Sequence, residues 1–408
     1  MKVLEQPVHN NDNNKKSEPE KKTGNVNLTK YRNKKKHTKN IVKLILVLLG
    51  VIAFLIVWYN ADTIFEPLRG IASKIDNKTS YAVGFPVTLP GSTEYSFKES
   101  GDIFSLLTDT YLYTYKNTGE QIYALKHGYS KPEQITSEKR ILLFDKSAYN
   151  FALYSKTSLI YTKTLEDKIV YANIGDGDMA AIVTDSSRYS NVLYIYDGGG
   201  NWKYTKKFAD ENVMQVAFTG DGSHIVVSTI SVDSGEIVTN YYKFSIKSTE
   251  GPLWSYSFKG NSLPCGLYAD SNNVISVCDN MVLSLNSRDG SYINSYSYNG
   301  TLKHFDISAD YCSIQYNESS TNKNNLTVLN NICEYSGSVT VTANTQKIIN
   351  SESSVYILDG IHLKKFDITT GIGSELALFT EDYTDFVKIG TDIMLLGYDT
   401  VNKITLDS

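Results

Sequence analysis

From residue 85 onward the chain alternates apolar and polar positions in runs of five to seven residues, rich in Val, Ile, Tyr, Phe and Thr and separated by turn residues. A period of two predicts strands, and no run after residue 80 carries a sustained helical period. The strands recur as a unit. The segments YLYTYKNTGEQIYAL, FALYSKTSLIYTKTL, VLYIYDGGGNWKYTK and MVLSLNSRDGSYINSYSY share one strand, turn, strand pattern. An apolar anchor closes the first strand of each such pair: Tyr115, Tyr154, Tyr196, Phe244, Leu285, Leu329, Phe366 and Leu406. The anchors lie 39, 42, 48, 41, 44, 37 and 40 residues apart, seven steps over 291 residues or close to 42 per step.

Each step has room for four short strands, as VMQVAFTGD, HIVVSTISVD, TNYYKFSIK and PLWSYSFK show in the fourth unit. Asp221-Gly222 supplies a tight hairpin turn there, and Asp176-Gly177, Asp289-Gly290 and Asn299-Gly300 are further turn signals. Four antiparallel strands per unit of 40–45 residues describe a β-propeller blade. A lone blade leaves both faces of its sheet open; a closed ring of blades covers them. The last unit stops after three strands, and Phe85-Pro86-Val87-Thr88-Leu89 can supply its outer strand and clasp the ring. The expected fold is therefore all-β, a propeller of eight four-stranded blades preceded by one transmembrane helix. Seven blades is the alternative if unit two (132–165) is incomplete, and a stacked β-sandwich pair is the rival architecture.

Residues 41–59, IVKLILVLLGVIAFLIVWY, are nearly all apolar and have the length to cross a bilayer as a helix. Lys43 can snorkel at one end, while Trp58 and Tyr59 suit the interface at the other. Six Lys/Arg lie between Lys30 and Lys39, which places the N-terminus in the cytoplasm and the rest outside. A cleaved signal peptide fits less well, because the preceding tail alone is 40 residues long. Residues 1–40 are too polar to fold. The expected organisation is a disordered basic cytoplasmic tail (1–40), a transmembrane helix through the lipid bilayer (41–59), a linker (60–80) and a propeller domain (81–408) outside the cell membrane.

Charge sharpens this division. The net charge of −4 hides a tail with eleven basic and four acidic residues (+7) and a remainder, residues 60–408, at −12. An acidic domain lacks the clustered cations that nucleic acid requires, so a nucleic-acid partner is not expected. Thirty Tyr fit packing between blades, where the ring is buried and the hydroxyl keeps a polar contact.

No local motif carries chemistry. His127, His224, His304 and His362 fall singly in different units, without metal-ligand spacing. Gly175-Asp176-Gly177-Asp178 lacks the further ligands of a calcium loop. Gly198-Gly199-Gly200 precedes a strand, whereas a phosphate cradle needs a helix N-terminus. No G-x-S-x-G occurs. No cofactor, metal or catalytic set is assigned. Cys265 and Cys278 could face each other across the first two strands of unit five, and Cys312 and Cys333 share unit six; disulfides and free buried thiols both remain open. Asn77, Asn299, Asn317 and Asn325 begin glycosylation sequons.

The order of features resembles a bacterial domain-of-unknown-function family, number 5711: a basic tail, a single span, a Gly-aromatic-Pro-Val element (Gly84-Phe85-Pro86-Val87) and propeller-like repeats. The stretches LLTDTYLYTYKNTGEQIYALKHGYSKP, RILLFD and MQVAFTGDGSHIVVSTISVDSGE carry the similarity. The units also resemble quinoprotein-type and WD40-type blades, as at Phe366-Asp367-Ile-Thr-Thr-Gly371 and Phe218-Thr-Gly-Asp221-Gly222. The late Trp of a quinoprotein repeat is absent from most units, only Trp202 and Trp254 remaining, so the resemblance implies no cofactor. It implies no activity either. The leading expectation is a tethered, non-enzymatic propeller that binds protein or cell-envelope polymer. The alternative is a cell-envelope hydrolase or lyase with carboxylates converging at the central channel. A sensor signalling through the tail is the weakest of the three.

Overall fold

The computed structural model describes residues 84–91, 94–175, 177–248 and 250–406. The expected tail, transmembrane helix and linker, and Asn77 with them, lie outside the described residues. Among the described residues there is no helix, and so none long and apolar enough to cross a membrane.

Among the described residues thirty-two strands form eight four-stranded antiparallel sheets. Blades 1 to 7 span residues 96–126, 132–164, 169–208, 212–259, 264–297, 300–341 and 345–378, each with its strands in sequence order. The first strands of successive blades run side by side around the ring, and that of blade 8 (Asp385–Ile389) lies against that of blade 1 (Ser96–Ser100). The first strand is therefore innermost and the fourth outermost. Unit two is a complete blade, so the ring has eight.

Blade 8 closes the circle as the terminal pattern predicts. Its three C-terminal strands are completed by Val87–Thr88, which pairs antiparallel with Thr400–Thr405 in the register Val87↔Val401 and Thr88↔Thr400. Leu89 N–H extends the ladder to Asp399 O at 2.8 Å. The incoming chain passes the turn between the third and fourth strands of blade 1 so closely that a Cβ on Gly119 would sit 2.5 Å from Gly84 O; Gly119 is also at φ +86°.

The hydrophobic residues explain why a ring forms. Eight buried clusters occupy the eight seams between neighbouring blades. Leu142, Phe144 and Phe151 of blade 2 meet Ile174, Ala180 and Ile182 of blade 3, for example. The seam between blades 8 and 1 joins Val387, Met394 and Val401 to Phe97, Phe104 and Tyr115, with Val87 and Leu89 of the closing segment. Alternation along each strand sends successive side chains to opposite seams, which is why the sequence shows period two although both faces are covered.

The anchors Tyr115, Tyr154, Tyr196, Phe244, Leu285, Leu329 and Phe366 are all buried in the third strands of blades 1 to 7. Leu406 is a correction. It lies beyond the third strand of blade 8, and the equivalent place is Ile404, opposite Ile393 as Phe366 is opposite Val355. The fourth strand of this sheet is Val87–Thr88, so the hairpin pattern that marks the anchor in the other units does not mark it here. Asn299-Gly300 is a second correction: Gly300 opens the first strand of blade 6, so the pair joins blades and does not turn a hairpin.

Polar latches tie some seams further. Lys243 Nζ of blade 4 is buried and donates to Ser287 O (2.6 Å) and Ser287 Oγ (3.1 Å) in a turn of blade 5. Trp254 Nε1 donates to the same carbonyl at 3.0 Å. Burial holds the Lys243 ammonium below its usual pKa.

Val401 is fully buried in the closing seam. Val401→Asp puts an unpaired carboxylate there and is expected to lower stability by about 3 kcal/mol or more. Hydrogen exchange should then show the amides of 87–89 and 399–405 losing protection before those of blades 3 to 5. Uniform loss around the ring would contradict a closing role for this pair.

Candidate functional site

The innermost strands form the wall of a central channel, the common place for a propeller to assemble a site. Their composition is lopsided. The first strands of blades 3, 4 and 5 (Ile169–Ile174, Asn212–Phe218 and Pro264–Ala269) contain no charged residue, and that of blade 2 contains only Glu133, paired with Lys146 at 2.7 Å. The first strands of blades 6, 7, 8 and 1 contain seven: Lys303, Asp306, Lys347, Asp385, Lys388, Lys98 and Glu99.

Register sets the heights of these groups. Glu99 and Lys388 each pair with the second residue of the next strand in their blade, Phe104 and Ile393, and so share one level. One residue earlier, Lys98 and Asp306 share the next level, opposite Ser105 and Ser313. Lys347, Asp385 and His304 share a third, opposite Leu358, Leu396 and Gln315. At that third level Lys347 Nζ lies 2.7 Å from Asp385 Oδ1 and donates to Phe386 O at 2.8 Å. His304 Nε2 donates to Thr345 O at 3.0 Å.

Lys98 and Glu99 are exposed although they lie on an innermost strand flanked by two blades, so the only solvent they can reach is in the channel. Neither side chain has a hydrogen bond or close ion pair among the described residues, in contrast to polar side chains elsewhere on the inner strands. Between blades 1 and 2 Ser105 Oγ donates to Gln134 Oε1 (2.8 Å) and Gln134 Nε2 to Ser96 O (2.7 Å), and between blades 3 and 4 Asn173 Nδ2 donates to Val216 O (2.6 Å). Surrounding protein lowers the Lys98 pKa, with Lys347 adding to the effect while Asp385 and Asp306 oppose it. Desolvation raises the pKa of Glu99 against Lys347. It raises that of Asp306 too, although Asn350 N–H donates to Asp306 Oδ2 at 2.6 Å. The Asp306 carboxylate of blade 6 favours the charged form of Lys98 of blade 1, and Lys98 that of Asp306, each as a minor cause beside desolvation.

The residues singled out from the sequence are not brought together. His127 accepts from Tyr129 N–H (3.0 Å) between blades 1 and 2, His224 lies 2.6 Å from Ser223 Oγ in blade 4, and His362 lies 2.8 Å from Glu375 in blade 7. Among the described residues no three His, Cys, Asp or Glu side chains are grouped to hold a metal ion. Asp178 pairs with Arg140 of the neighbouring blade at 2.9 Å, and Asp176 lies outside the described residues. Gly198–Gly200 form a turn whose N–H groups point to Asp197: Gly199 N–H and Asn201 N–H donate to its Oδ1 at 3.0 and 2.8 Å. Burial works against ionisation of Asp197, but these bonds and Lys203 outweigh it and hold its pKa at about 2.

All four thiols are unbonded. Cys265 is the extra residue of a bulge, with Pro264 opposite Cys278 and Gly266 opposite Val277, so of the two alternatives left open the free thiols are the ones found. Burial pushes the Cys278 and Cys333 thiols up to about 11 and about 12. The charged arc escaped the sequence reading because its members are scattered from residue 98 to residue 388. It becomes visible only when the first strands of all the units are set side by side.

The raised Asp306 pKa carries a sign. Its contribution to stability is present while the carboxyl is protonated and is lost as pH rises through its folded-state pKa. Asp306→Asn keeps an acceptor for Asn350 N–H and cannot ionise. Thermal melts should show the variant more stable than the parent at neutral pH, with the gap closing as pH falls through the carboxylate range. A gap that widens on acidification would contradict the assignment.

The fold is shared with solved propellers. The chain is similar to Sqt1 of Saccharomyces cerevisiae (11% identity, TM-score 0.54, covering 77% of this chain and 99% of that one). It is similar to BamB of Moraxella catarrhalis (10%, 0.53, covering 81% and 98%) and to the C-terminal WD40 domain of Sif2 (10%, 0.55, covering 81% and 100%). At these identities the likeness concerns architecture alone. No curated protein matches the chain. The model of one family, a family of unknown function designated DUF5711, matches residues 76–406, nearly the whole propeller and the approach to it, and the chain belongs to that family.

Proposed function

We propose that this chain is a membrane-tethered, extracytoplasmic propeller that acts as a binding or scaffold module for a protein or cell-envelope ligand. The observation that carries the binding role is the charged arc of the channel: a closed ring holds Lys98 and Glu99 in place without giving either an internal partner. Charged groups left unpaired on a rigid frame are prepared for an external one. The tether rests on sequence. The apolar run 41–59 follows a tail of charge +7, and cations flanking a span stay on the cytoplasmic side. In this reading 1–40 is the cytoplasmic tail, 60–80 the linker and 81–408 the domain outside the cell membrane. The −12 charge of residues 60–408 makes a protein or polymer partner more fitting than nucleic acid.

One observation favours a second reading. Glu99 and Asp306 are carboxyls with raised pKa, each with the Lys347 ammonium acting on it, the kind of group a hydrolase or lyase uses for proton transfer. Turnover of a cell-envelope polymer that disappears in Glu99→Gln while binding persists would favour this enzyme over the scaffold.

Fractionation tests the tether. The full chain should sediment with membranes and resist a salt wash, and deletion of 41–59 should release it. Protease added to intact cells should digest the propeller and spare the tail. Recovery of the intact full chain in the soluble fraction, or a propeller protected in intact cells, would overturn the tethered reading.

A further inference from the structure

Large apolar side chains that face solvent recur at one place on the blades. Leu159, Trp202, Tyr292 and Tyr335 open the fourth strands of blades 2, 3, 5 and 6, opposite the buried anchors Tyr154, Tyr196, Leu285 and Leu329. Leu253 comes one residue before Trp254, which opens the fourth strand of blade 4, and Ile372 opens that of blade 7 opposite Asp367, next to the anchor Phe366. Six consecutive blades thus carry such a residue within one position of the same level, each 46–64% exposed. No other register position is exposed and apolar in more than two of the described blades. Packing inside the ring does not explain the recurrence, because the neighbouring anchors already fill the seams. A bulge after Trp202, Tyr292 and Tyr335 brings residues three apart to one side of the strand. Trp202 Nε1 donates to Thr205 Oγ1 at 2.8 Å, and the Tyr292 and Tyr335 hydroxyls lie 3.1 and 2.9 Å from Ser295 Oγ and Ser338 Oγ. Each ring has its polar atom matched on its own strand, so it can leave water without carrying an unpaired donor.

These residues follow directly on the turns between third and fourth strands and so encircle one rim of the ring. The chain enters on the same rim, where Gly84 meets Gly119 in the corresponding turn of blade 1. The belt is interrupted there, with Gln121 opposite the anchor Tyr115. We propose that this rim docks on the surface of a lipid bilayer, with the six side chains seated in its interfacial layer. Trp and Tyr favour that layer, and apolar faces lying on a membrane enter it by about 5–10 Å. The proposal rests on the tethered reading, in which only residues 60–83 separate the apolar run 41–59 from Gly84. Over 24 residues the ends of a coil average about 25–30 Å apart, so the rim meets the bilayer at high effective concentration and weak contacts suffice to hold it. Charges beside the belt come in both signs, with Lys203 on Asp197 at 2.8 Å and Lys116 on Glu120 at 3.0 Å, so docking does not call for anionic lipid.

Fluorescence quenching of the full chain in vesicles of phosphatidylcholine brominated near the headgroup tests it. The chain has three Trp: Trp58 at the end of the apolar run, exposed Trp202 and buried Trp254. In Trp58→Phe the bromolipid should remove the larger part of the Trp202 emission, and adding Trp202→Phe should leave only unquenched Trp254. Tyr292→Ser with Tyr335→Ser should reduce the loss at Trp202 without lowering the melting temperature, since both rings face solvent. Were that pair to melt early, the single-Trp comparison would still decide. Trp202→Phe reports Trp58. Quenched Trp58 with unquenched Trp202 would overturn the docking and leave the tether standing, whereas unquenched Trp58 would remove the tether and the docking with it. Loss at Trp202 unchanged in the folded Tyr292→Ser/Tyr335→Ser chain would overturn the belt. Trp202 that ignores bromolipid but shifts its emission with soluble peptidoglycan fragments, or with protein concentration, would give the belt to an envelope polymer or to a second copy and overturn the proposal.

Discussion

A four-stranded blade of this protein has no interior. Its apolar side chains point alternately to the two faces of a single sheet, and each face is covered only by the next blade. Eight seams therefore stand where a globular domain has one core, and they are mutually dependent. An open row of blades would expose two apolar faces at its ends; only the circle leaves none. The short strand Val87–Thr88 matters out of proportion to its length for this reason. Together with Leu89 it fills the outer edge of the last seam and converts a row into a ring.

This dependence governs what could be read in advance. Anchors such as Phe244, Leu285 and Phe366 recur because each seam needs a bulky side chain at the end of a third strand, so the spacing of about forty residues is packing made visible in sequence. The clasp was legible for the same reason, as a missing strand at one end and a spare one at the other. Detail failed where packing stops acting on the pattern. Leu406 stood in for Ile404, and whether Cys265 faces Cys278 was decided by a bulge that composition does not encode.

The charged arc was invisible for a deeper reason. A channel wall is built from one strand in four, so residues that are neighbours in space come from four separate repeats. No window along the chain contains more than two of them. Their energetics also differ from those of the seams. Gln134, Asn173 and Ser105 have their hydrogen bonds satisfied inside the protein and lock blades together, whereas Lys98 and Glu99 are held in register by the ring and matched by nothing within it. The inner strands are thus uneven in charge: those of blades 3 to 5 carry none, while those of blades 6 to 8 and 1 carry seven charged residues, of which Lys347, Asp385, Asp306 and Lys388 are bonded within the ring.

The clasp has a consequence for how the protein is made. Val87 leaves the ribosome 314 residues before Val401, its partner (401 − 87 = 314). Blades can stack on one another as they emerge, but throughout synthesis the growing array presents an unprotected apolar flank at each end, and the strand that will cover the last of them must wait without a mate. Completion is a single late event of long loop closure, whose entropic cost grows only slowly with separation. A nascent chain truncated anywhere before blade 8 is consequently a sticky fragment and not a smaller propeller, which makes this fold dependent on finishing translation in a way that a row of independent domains is not.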